Sequence, residues 1–470
     1  MAAGVAEPAP DGPQHALRDE LRALGKLAAP LAIAQAGQSL MSLVDTAVVG
    51  RAGAVPLAGT ALGSSLFFVV SLLGLGLMLG LDPLVSQALG AGQPVRARRM
   101  LWQGVYLALI SAAVLVPPLL VLQLGLEPFG LSREVAGQTR HFLWWRMAGL
   151  PALMVFSATR SYLQAVHRAQ VLVWSTLAAN VLNFLFDLLF VFGGASLPEW
   201  LGPLRWLPRM EAGGSALAST LCTWFQLAIT AAACAKVPLP EKPTDLHKPL
   251  PEELRHAVRI GVPVGLHLGA EVGVFSLAGF LAGRLGTEDV AAHQVALVLC
   301  SLSFTVAVGF GNAGAVRVGM AVGSRNTPRA RLAGFTAIAC GTAFMACSGL
   351  VFFFFPGVLA GLMTNEPGVQ AMAIPLLLVG AVFQLSDGVQ GVGAGVLRGA
   401  GDSRFTFVAN LIGHYLVGLP LSLYLGLKLK LGIVGIWWGL CAGLTCVAIA
   451  LFSRFWSLSR REIRPVAEVH

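Results

Sequence analysis

Four carboxylates lie deep inside long apolar stretches of this sequence: Asp45, Asp187, Glu271 and Asp387. At the centre of a membrane-spanning helix such a group costs roughly 2.5–3.5 kcal/mol on insertion scales, so it normally faces a cavity or a partner and marks a functional site. A carboxylate in that position can bind a cation or accept a proton. The four positions therefore predict cation or proton chemistry.

Two of these carboxylates have a polar side chain one helical turn away. Asn183 precedes Asp187 by four residues and His267 precedes Glu271 by four, so each pair shares a helix face. An amide beside a carboxylate can bind an ion or hold the acid in its protonated form. A histidine there can titrate at physiological pH, which suits proton coupling, although a hydrogen-bonded packing histidine is an equally good interpretation.

Asp45 and Asp187 are expected at the same depth of a membrane. Their apolar runs, taken to cross in the same direction, put the two residues about 17 to 18 positions, or roughly 25–27 Å, from the inner end. The two side chains can therefore meet in one site. Pro30 precedes Asp45 in the same run, and a proline can kink a helix, so ion binding at Asp45 would be coupled to bending; a proline in the first helical turn is the structural alternative.

The composition is that of an integral membrane protein. Of the 470 residues, 56% are hydrophobic and 12% are charged, against the roughly 25% charged residues usual in soluble domains. The formal charge of +9 does not come from a basic, aromatic-interleaved patch, so we exclude nucleic acid as a partner. The seven cysteines lie in apolar segments without Cys-x-x-Cys spacing and are interpreted as packing residues. The sequence has no clustered nucleophile, metal set or P-loop, so we expect no enzyme.

Twelve apolar runs are long enough to cross a bilayer, which takes about 20 residues. In the first half they cover residues 27–50, 57–81, 100–124, 142–166, 170–193 and 212–236. In the second half they cover residues 257–283, 290–316, 332–355, 370–396, 405–427 and 432–456. The stretch KVPLPEKPTDLHKPLPEELRH between them is rich in proline and charge, which is typical of a linker.

The two halves repeat each other. Arg-Ala-Arg at 96–98 recurs at 329–331, an offset of 233 residues, and GRAG at 50–53 matches GRLG at 283–286 at the same offset. Because an even number of helices separates the matched features, the halves share one orientation and are related by an axis along the membrane normal. The predicted fold is an all-α integral membrane protein with twelve transmembrane helices in two six-helix bundles, related by a pseudo-two-fold axis.

The distribution of basic residues predicts the orientation. Most of the 32 Lys and Arg residues fall at the termini, the linker and the even-numbered loops, which the positive-inside rule assigns to the cytoplasm. We therefore expect a multi-pass protein of the plasma (inner) membrane with both termini cytoplasmic. Its predicted parts are a cytoplasmic N-terminal segment (1–26), an N-lobe (27–236), a cytoplasmic linker (237–256), a C-lobe (257–456) and a cytoplasmic tail (457–470).

Several stretches resemble the multidrug and toxic compound extrusion (MATE) family, and their order covers nearly the whole chain. PLAIAQAGQSLMSLVDTAVVGRAG is similar to the opening of the family, LVSQALGAGQ to the inner end of its second helix, and ANVLNFLFDLLFVFGG to its fifth helix. In the second half, GVPVGLHLGAEVGVFSLAGFLAGRLG resembles the seventh helix of the NorM-like branch, and DGVQGVGAGVLRGAGD resembles its tenth helix.

The resemblance implies a secondary active antiporter that exports amphipathic organic cations in exchange for H⁺ or Na⁺ by alternating access. Two six-helix lobes would surround a central cleft. Asp45, Asn183 and Asp187 would form the ion site of the N-lobe, and Glu271 and Asp387, with His267 beside them, the cation site of the C-lobe. We expect no cofactor beyond the coupling ion, no metal beyond Na⁺ at the same acids, small organic cations and the lipid bilayer as partners, and a monomer.

Two features depart from the family pattern. Phe383, one turn before Asp387, stands where a tyrosine is expected in some NorM-type members, and His267 occupies a position that is more often small or hydroxyl-bearing. The second departure favours proton coupling. The alternative function is a lipid-linked precursor flippase of the same superfamily, which typically has cationic residues in its cavity, whereas the deep groups here are acidic. A membrane-embedded enzyme or an ion channel fits less well.

Overall fold

Runs of membrane length fold into α-helices because lipid offers no hydrogen-bond partner to the backbone, and a helix satisfies its own backbone groups. The structure, a computed structural model, describes residues 13–128, 130–194, 199–241 and 245–468. Its long helices in the first half are α1 (Pro13–Gly50), α2 (Ala54–Gly90), α3 (Pro94–Gly125), α4 (Arg133–Ala165), α5 (Gln170–Phe192) and α6 (Ala212–Ala235).

The second half has an equivalent series of long helices. They are α7 (Pro251–Leu285), α8 (Thr287–Gly323), α9 (Thr327–Phe354), α10 (Pro367–Gly399), α11 (Ser403–Lys428) and α12 (Gly432–Leu458). A short helix, Pro356–Met363, connects α9 to α10. Two segments of α11, Ile412–Gly418 and Tyr424–Lys428, are π-helical.

The helices agree with the predicted spans. Within the described ranges, eleven helices are long and apolar enough to cross a membrane. The remaining long helix, α4, has 33 residues but carries Arg140, Arg146 and Arg160, which lower its hydropathy. Helix α1 begins at Pro13, so the described part of the predicted N-terminal segment is helical, and residues 1–12 lie outside the described residues.

The chain divides into two compact units. The N-unit consists of Ala34–Leu81 and Val95–Val258, and the C-unit consists of the residues through Ile33, Asp82–Pro94 and the residues from Arg259 onward. The amino-terminal part of α1 and the carboxyl-terminal part of α2 thus belong to the C-unit. The predicted lobes, which divide the chain once at the linker, stay a prediction.

In the C-unit, α10 packs against α8, α9 and α12. Its glycine face makes this close packing possible, because a Cβ at Gly395 or Gly399 would collide with the backbone of α8. The buried core around it draws on α7, α8, α10 and α12, and includes Val274, Leu377 and Trp437. In the N-unit, α4 packs against α2 and α6, and α5 packs against α6.

Candidate functional site

Apolar contacts hold α1 beside α5 on both sides of a polar layer. Met41 of α1 and Ala179 of α5 belong to one buried cluster, and Val48 and Val191 belong to another. On each helix, the polar residues between these two clusters lie one helical turn from one of them. The two clusters therefore fix the polar layer of α1 at the level of the polar layer of α5.

This polar layer contains Asp45, Asn183 and Asp187. The carboxyl groups of Asp45 and Asp187 lie close enough to interact. Asp45 is partly exposed, and its Oδ2 accepts a hydrogen bond from Ser219 Oγ of α6 at 2.8 Å. Asp187 and Asn183 are fully buried, and among the described residues no oxygen or nitrogen of either side chain makes a hydrogen bond of good geometry; the Ser215 hydroxyl lies near the Asp187 carboxyl group.

Buried polar atoms without a partner are rare in folded proteins because each costs free energy. Carboxylate and amide oxygens are hard ligands that suit a small cation, and a carboxylate beside another carboxylate can also take up a proton. Asp45, Asn183 and Asp187 can therefore hold Na⁺ or share H⁺. Their assignment to ion binding stays a prediction.

Asp45 also lines a cavity of about 530 Å³ in the N-unit. Phenylalanine rings and polar side chains form most of its wall: Phe67, Phe68, Phe142, Phe156, Gln35, Gln38 and Gln226. Two arginines of α4, Arg146 and Arg160, line it as well. The cavity therefore combines an aromatic wall with side chains of both charges.

The position of Arg146 differs from what the sequence suggests. Its neighbours Trp144 and Trp145 favour a place in an aromatic belt at the outer interface, but the guanidinium lies in the cavity with Asp45 and over the ring of Phe67, 4.8 Å from its centre. The helix turns the tryptophans outward and the arginine inward. The sequence interpretation that the deep groups are acidic is incomplete for the same reason.

A second polar cluster lies in the C-unit, on α7 and α10. His267 Nε2 lies 3.4 Å from Glu271 Oε2, and also 3.4 Å from Gln390 Nε2. The carboxyl group of Asp387 is close to that of Glu271, and Asp387 is 5% exposed. The structure thus brings together the three residues that the sequence singles out in this half.

Two further residues of this cluster have no clear signal in the sequence. Gln390 lies on α10 one turn after Asp387 and contacts His267. His414 lies near His267, is buried in the π-helical part of α11, and has no hydrogen-bond partner for either ring nitrogen among the described residues. Single-turn π-helices are frequent at functional sites, but a π-helical turn cannot be read from periodicity.

Phe383, which departs from the family pattern, lies in a group of aromatic rings. Phe383 packs against Phe275 and Trp437 with ring centroids 6.1 and 5.9 Å apart. Tyr415 supplies a hydroxyl to this region, and this hydroxyl donates to the carbonyl oxygen of Ala270 at 2.9 Å.

Pro30 lies inside the continuous helix α1, well beyond its first turn. The alternative that places it in the first helical turn is therefore wrong, and the coupling of ion binding to bending stays a prediction.

Other buried carboxylates of the C-unit are paired with arginines. Asp82 is 3% exposed, and its Oδ2 lies 3.2 Å from Arg398 Nε. Arg398 also donates to Asn312 Oδ1 at 2.8 Å. Arg317 donates to Glu20 at 2.8 Å, and that carboxylate is likewise 3% exposed.

The positions of Asp82 and Arg317 along the chain do not predict these pairs. Asp82 and Arg317 lie at the ends of apolar runs, where long side chains normally extend to the lipid headgroups. Instead, both are buried in ion pairs whose partners are hundreds of residues away in the chain. The pairs attach the ends of α1 and α2 to the second half.

The MatE family model matches this chain twice, at residues 30–189 and 263–424. The two matches begin 233 residues apart, so they confirm the repeat and its offset. No group of three or more His, Cys, Asp or Glu side chains in the described part of the chain is arranged to hold a metal ion.

Two relatives are similar over almost their whole length. The "Probable multidrug resistance protein NorM" of Pseudomonas putida is 35% identical over 454 residues, which cover 94% of this chain and 95% of the relative. The "Multidrug resistance protein NorM" of Burkholderia vietnamiensis is 34% identical over 456 residues, with 92% of each chain covered.

A solved structure has the same fold. It is the outward-facing conformation of a multidrug resistance MATE family transporter of the MOP superfamily, with a TM-score of 0.84 at 20% identity, covering 97% of this chain and 100% of that one. This likeness confirms the predicted fold class of twelve helices in two bundles.

Proposed function

The chain belongs to the MatE family, and we propose that it is a secondary active antiporter that exports amphipathic organic cations in exchange for H⁺ or Na⁺ by alternating access. Two relatives named as multidrug resistance proteins cover more than nine tenths of the chain. The observation that carries the proposal is that one carboxylate, Asp45, faces both a drug-sized cavity and a buried acidic site.

The cavity of the N-unit suits an amphipathic cation. Aromatic rings provide an apolar surface and attract positive charge through their faces, while Asp45 provides a full negative charge. Its volume of about 530 Å³ falls within the range of roughly 300–1,000 Å³ that is usual for small-molecule sites. The positive charge of Arg146 repels cations in its part of the cavity, so the substrate would carry a positive group at one end only.

Asp45 is the residue at which drug and coupling ion compete. Its Oδ2 is bound by Ser219, and its carboxyl group also approaches Asp187. Uptake of H⁺ or Na⁺ by Asp45, Asn183 and Asp187 would neutralise Asp45 and weaken its attraction for an organic cation. Linkage requires the reciprocal effect, so a bound drug cation lowers the affinity for the ion.

The cluster of the C-unit would act as a second titratable site. Glu271 and Asp387 are close to each other and to His267, a group of acids and a base that can exchange protons. Protons rather than Na⁺ suit this cluster because Glu271 and Asp387 lie close to each other, and a proton on one of them relieves the repulsion between two negative charges. The protein would act as a monomer in the inner membrane, with both termini in the cytoplasm.

A lipid-linked precursor flippase is the weaker alternative. The charge argument against it is reduced, because Arg146 and Arg160 line the cavity. The sequence relatives favour drug efflux instead, since their names refer to multidrug resistance and their similarity extends over both halves.

The test is efflux of a fluorescent lipophilic cation from proteoliposomes under a pH gradient and, separately, a sodium gradient. The wild type is compared with Asp45→Asn and Glu271→Gln. We expect one gradient to drive efflux in the wild type and Asp45→Asn to abolish it. If neither gradient moves the dye and the substitutions change nothing, the antiport proposal is wrong and the flippase becomes the leading function.

A further inference from the structure

A second cavity lies in the C-unit, where α9 begins and α12 ends. Its volume is about 700 Å³. Four arginines and one glutamate line it: Arg325, Arg331, Arg460, Arg461 and Glu462. The lining is therefore strongly basic, and it lies at the ends of two membrane-spanning helices. None of these residues belongs to the two polar sites described above.

Aromatic rings, rather than acids, hold two of these arginines in position. Arg331 lies over the ring of Trp456 at 5.3 Å and over that of Phe335 at 6.0 Å, and Arg460 lies over the ring of Trp456 at 4.9 Å. Arg325 is paired with Glu468. In the described part of the chain, no ion pair neutralises Arg331 or Arg460, so both retain their full charge toward the cavity.

The equivalent place in the first half is covered by another part of the chain. Arg98 corresponds to Arg331 in the sequence repeat; it also lies over an aromatic ring, that of Tyr162 at 4.9 Å, and its Nη2 donates to the carbonyl oxygen of Val237 at 3.0 Å. Its neighbour Arg99 is paired at 3.2 Å with Asp245 of the linker. The linker that follows α6 thus covers the basic cluster of the first half with acceptors.

The segment that follows α12 supplies Glu468 to Arg325 but also adds Arg460 and Arg461 to the cluster. Among the described residues, Glu462 is the one acid that lines the cavity. Four arginines thus face one glutamate in the lining, and Arg331 and Arg460 have no ion-pair partner among the described residues. The excess positive charge favours binding of an anion from outside the chain.

The surface beside the cavity indicates which anion. Ile449, Phe452 and Trp456 lie on one face of α12 and are 62%, 38% and 39% exposed. This apolar stripe runs roughly 10 Å along the helix and ends at the ring that carries the two guanidinium groups. A free phosphate would use only the arginines, whereas a phospholipid would place its headgroup on them and its acyl chains along the stripe.

We propose that this cavity binds the phosphate headgroup of an anionic phospholipid. Arg331 and Arg460 contact the phosphate oxygens, since guanidinium groups match phosphate geometry, and the acyl chains lie along Ile449 and Phe452. Basic pockets at the membrane surface attract anionic headgroups in general. The lipid would come from the leaflet on the side of the carboxyl terminus, which the positive-inside pattern predicts to be cytoplasmic.

The test uses the full-length protein in detergent, titrated with phosphatidylglycerol or with phosphatidylcholine of the same acyl chains, and bound lipid is counted by native mass spectrometry. We expect the wild type to prefer phosphatidylglycerol. The variant Arg331→Gln with Arg460→Gln should bind it roughly tenfold more weakly or worse, because each arginine contributes about a fivefold gain near an anionic surface. Thermal unfolding in detergent without lipid checks that the variant is folded.

Arg284→Gln is the matched control. Arg284 also lies over an aromatic ring, that of Phe280 at 5.0 Å, but at the end of α7. It should leave phosphatidylglycerol binding unchanged. Equal binding by the wild type and the double variant would overturn the proposal, as would displacement of the lipid by millimolar inorganic phosphate, which would identify a free anion as the ligand. Neither measurement depends on transport, so the antiport proposal can fail while this one stands.

Discussion

The molecule contains two kinds of buried carboxylate. Asp187 of the N-unit is fully buried, and in the part of the chain that the structure describes neither of its oxygens makes a hydrogen bond of good geometry. Asp82 of the C-unit is 3% exposed and lies 3.2 Å from a guanidinium nitrogen of Arg398. The residue type and the burial are nearly the same, but Asp82 faces an arginine, whereas Asp187 faces a second carboxylate, Asp45.

This difference separates a carboxylate that stabilises the fold from one that a mobile cation can bind. An ion pair with good geometry compensates for the loss of hydration, and removing one partner leaves a charge buried without compensation. A carboxylate with no fixed cation is available to a mobile one. Burial alone therefore does not mark an ion site, and the absence of a fixed ion-pair partner is what makes Asp187 a candidate.

The largest expected effect is on stability, at the paired site. Asp82→Asn leaves Arg398 buried without its carboxylate, and the loss should be about 3–5 kcal/mol in the free energy of unfolding. Thermal unfolding of the purified protein, followed by tryptophan fluorescence, should show a clearly lower transition temperature than the wild type.

A double substitution checks that the cause is the unpaired charge. Asp82→Asn combined with Arg398→Gln removes both charges, so most of the stability should return, to within about 1 kcal/mol of the wild type. If the double variant is as unstable as Asp82→Asn alone, the pair is not what stabilises this region, and the contrast with Asp187 loses its basis.

The second effect is on transport, at the unpaired site. Asp187→Asn keeps the shape of the side chain and removes its charge, so we expect the transition temperature to stay at or above that of the wild type. Gradient-driven efflux should fall at least tenfold, since the coupling between ion and drug is lost. A variant that transports normally, or one that unfolds as early as Asp82→Asn, would contradict the difference in role between the paired and the unpaired carboxylate.

A smaller effect is expected in the C-unit, where the partner is itself titratable. Glu271 lies 3.4 Å from His267, so its charge depends on the protonation of its neighbour. Glu271→Gln should reduce efflux driven by a pH gradient by about fivefold, and His267→Gln should reduce it to a similar extent. The measurement compares initial rates at equal gradients. If the variants lose activity only under a sodium gradient, the assignment of this cluster to protons is wrong.

The smallest effect is expected at Ser219, whose hydroxyl donates to Asp45 Oδ2 at 2.8 Å. Ser219→Ala removes one hydrogen bond of about 1 kcal/mol, which corresponds to a change of roughly fivefold or less in the apparent affinity for the drug cation. Thr223→Val, one turn further along α6 in the same cavity, serves as the control, because its hydroxyl bonds the backbone oxygen of Ser219. An unchanged affinity in Ser219→Ala would mean that this bond does not orient Asp45 for binding.

Much of the fold follows from the sequence alone. The predicted run 170–193 corresponds to α5 at Gln170–Phe192, and 212–236 corresponds to α6 at Ala212–Ala235. Such agreement is expected because membrane thickness sets the length of an apolar run and polar residues mark its ends. The start of α1 at Pro13 could not be found this way, because its first residues are polar and the helix extends beyond the membrane part.

The candidate site was predicted only in part. Depth along the helix brought Asp45 and Asp187 to one level, since a constant rise per residue converts position into height. The position of Arg146 in the cavity with Asp45 could not be predicted from the sequence, because hydropathy does not tell which face of a helix lines a cavity. His414 lies in a π-helical turn, where regular periodicity no longer predicts direction.

The sequence by itself determined the twelve spans, the 233-residue repeat and the four carboxylates that lie deep inside the spans, because these depend on local composition and on spacing along the chain. Only the tertiary structure decided which charge meets which. Asp82 meets Arg398, and Arg317 meets Glu20, across hundreds of residues. Electrostatic interaction depends on the distance between charges and on the medium around them. Neither quantity exists until the helices have packed.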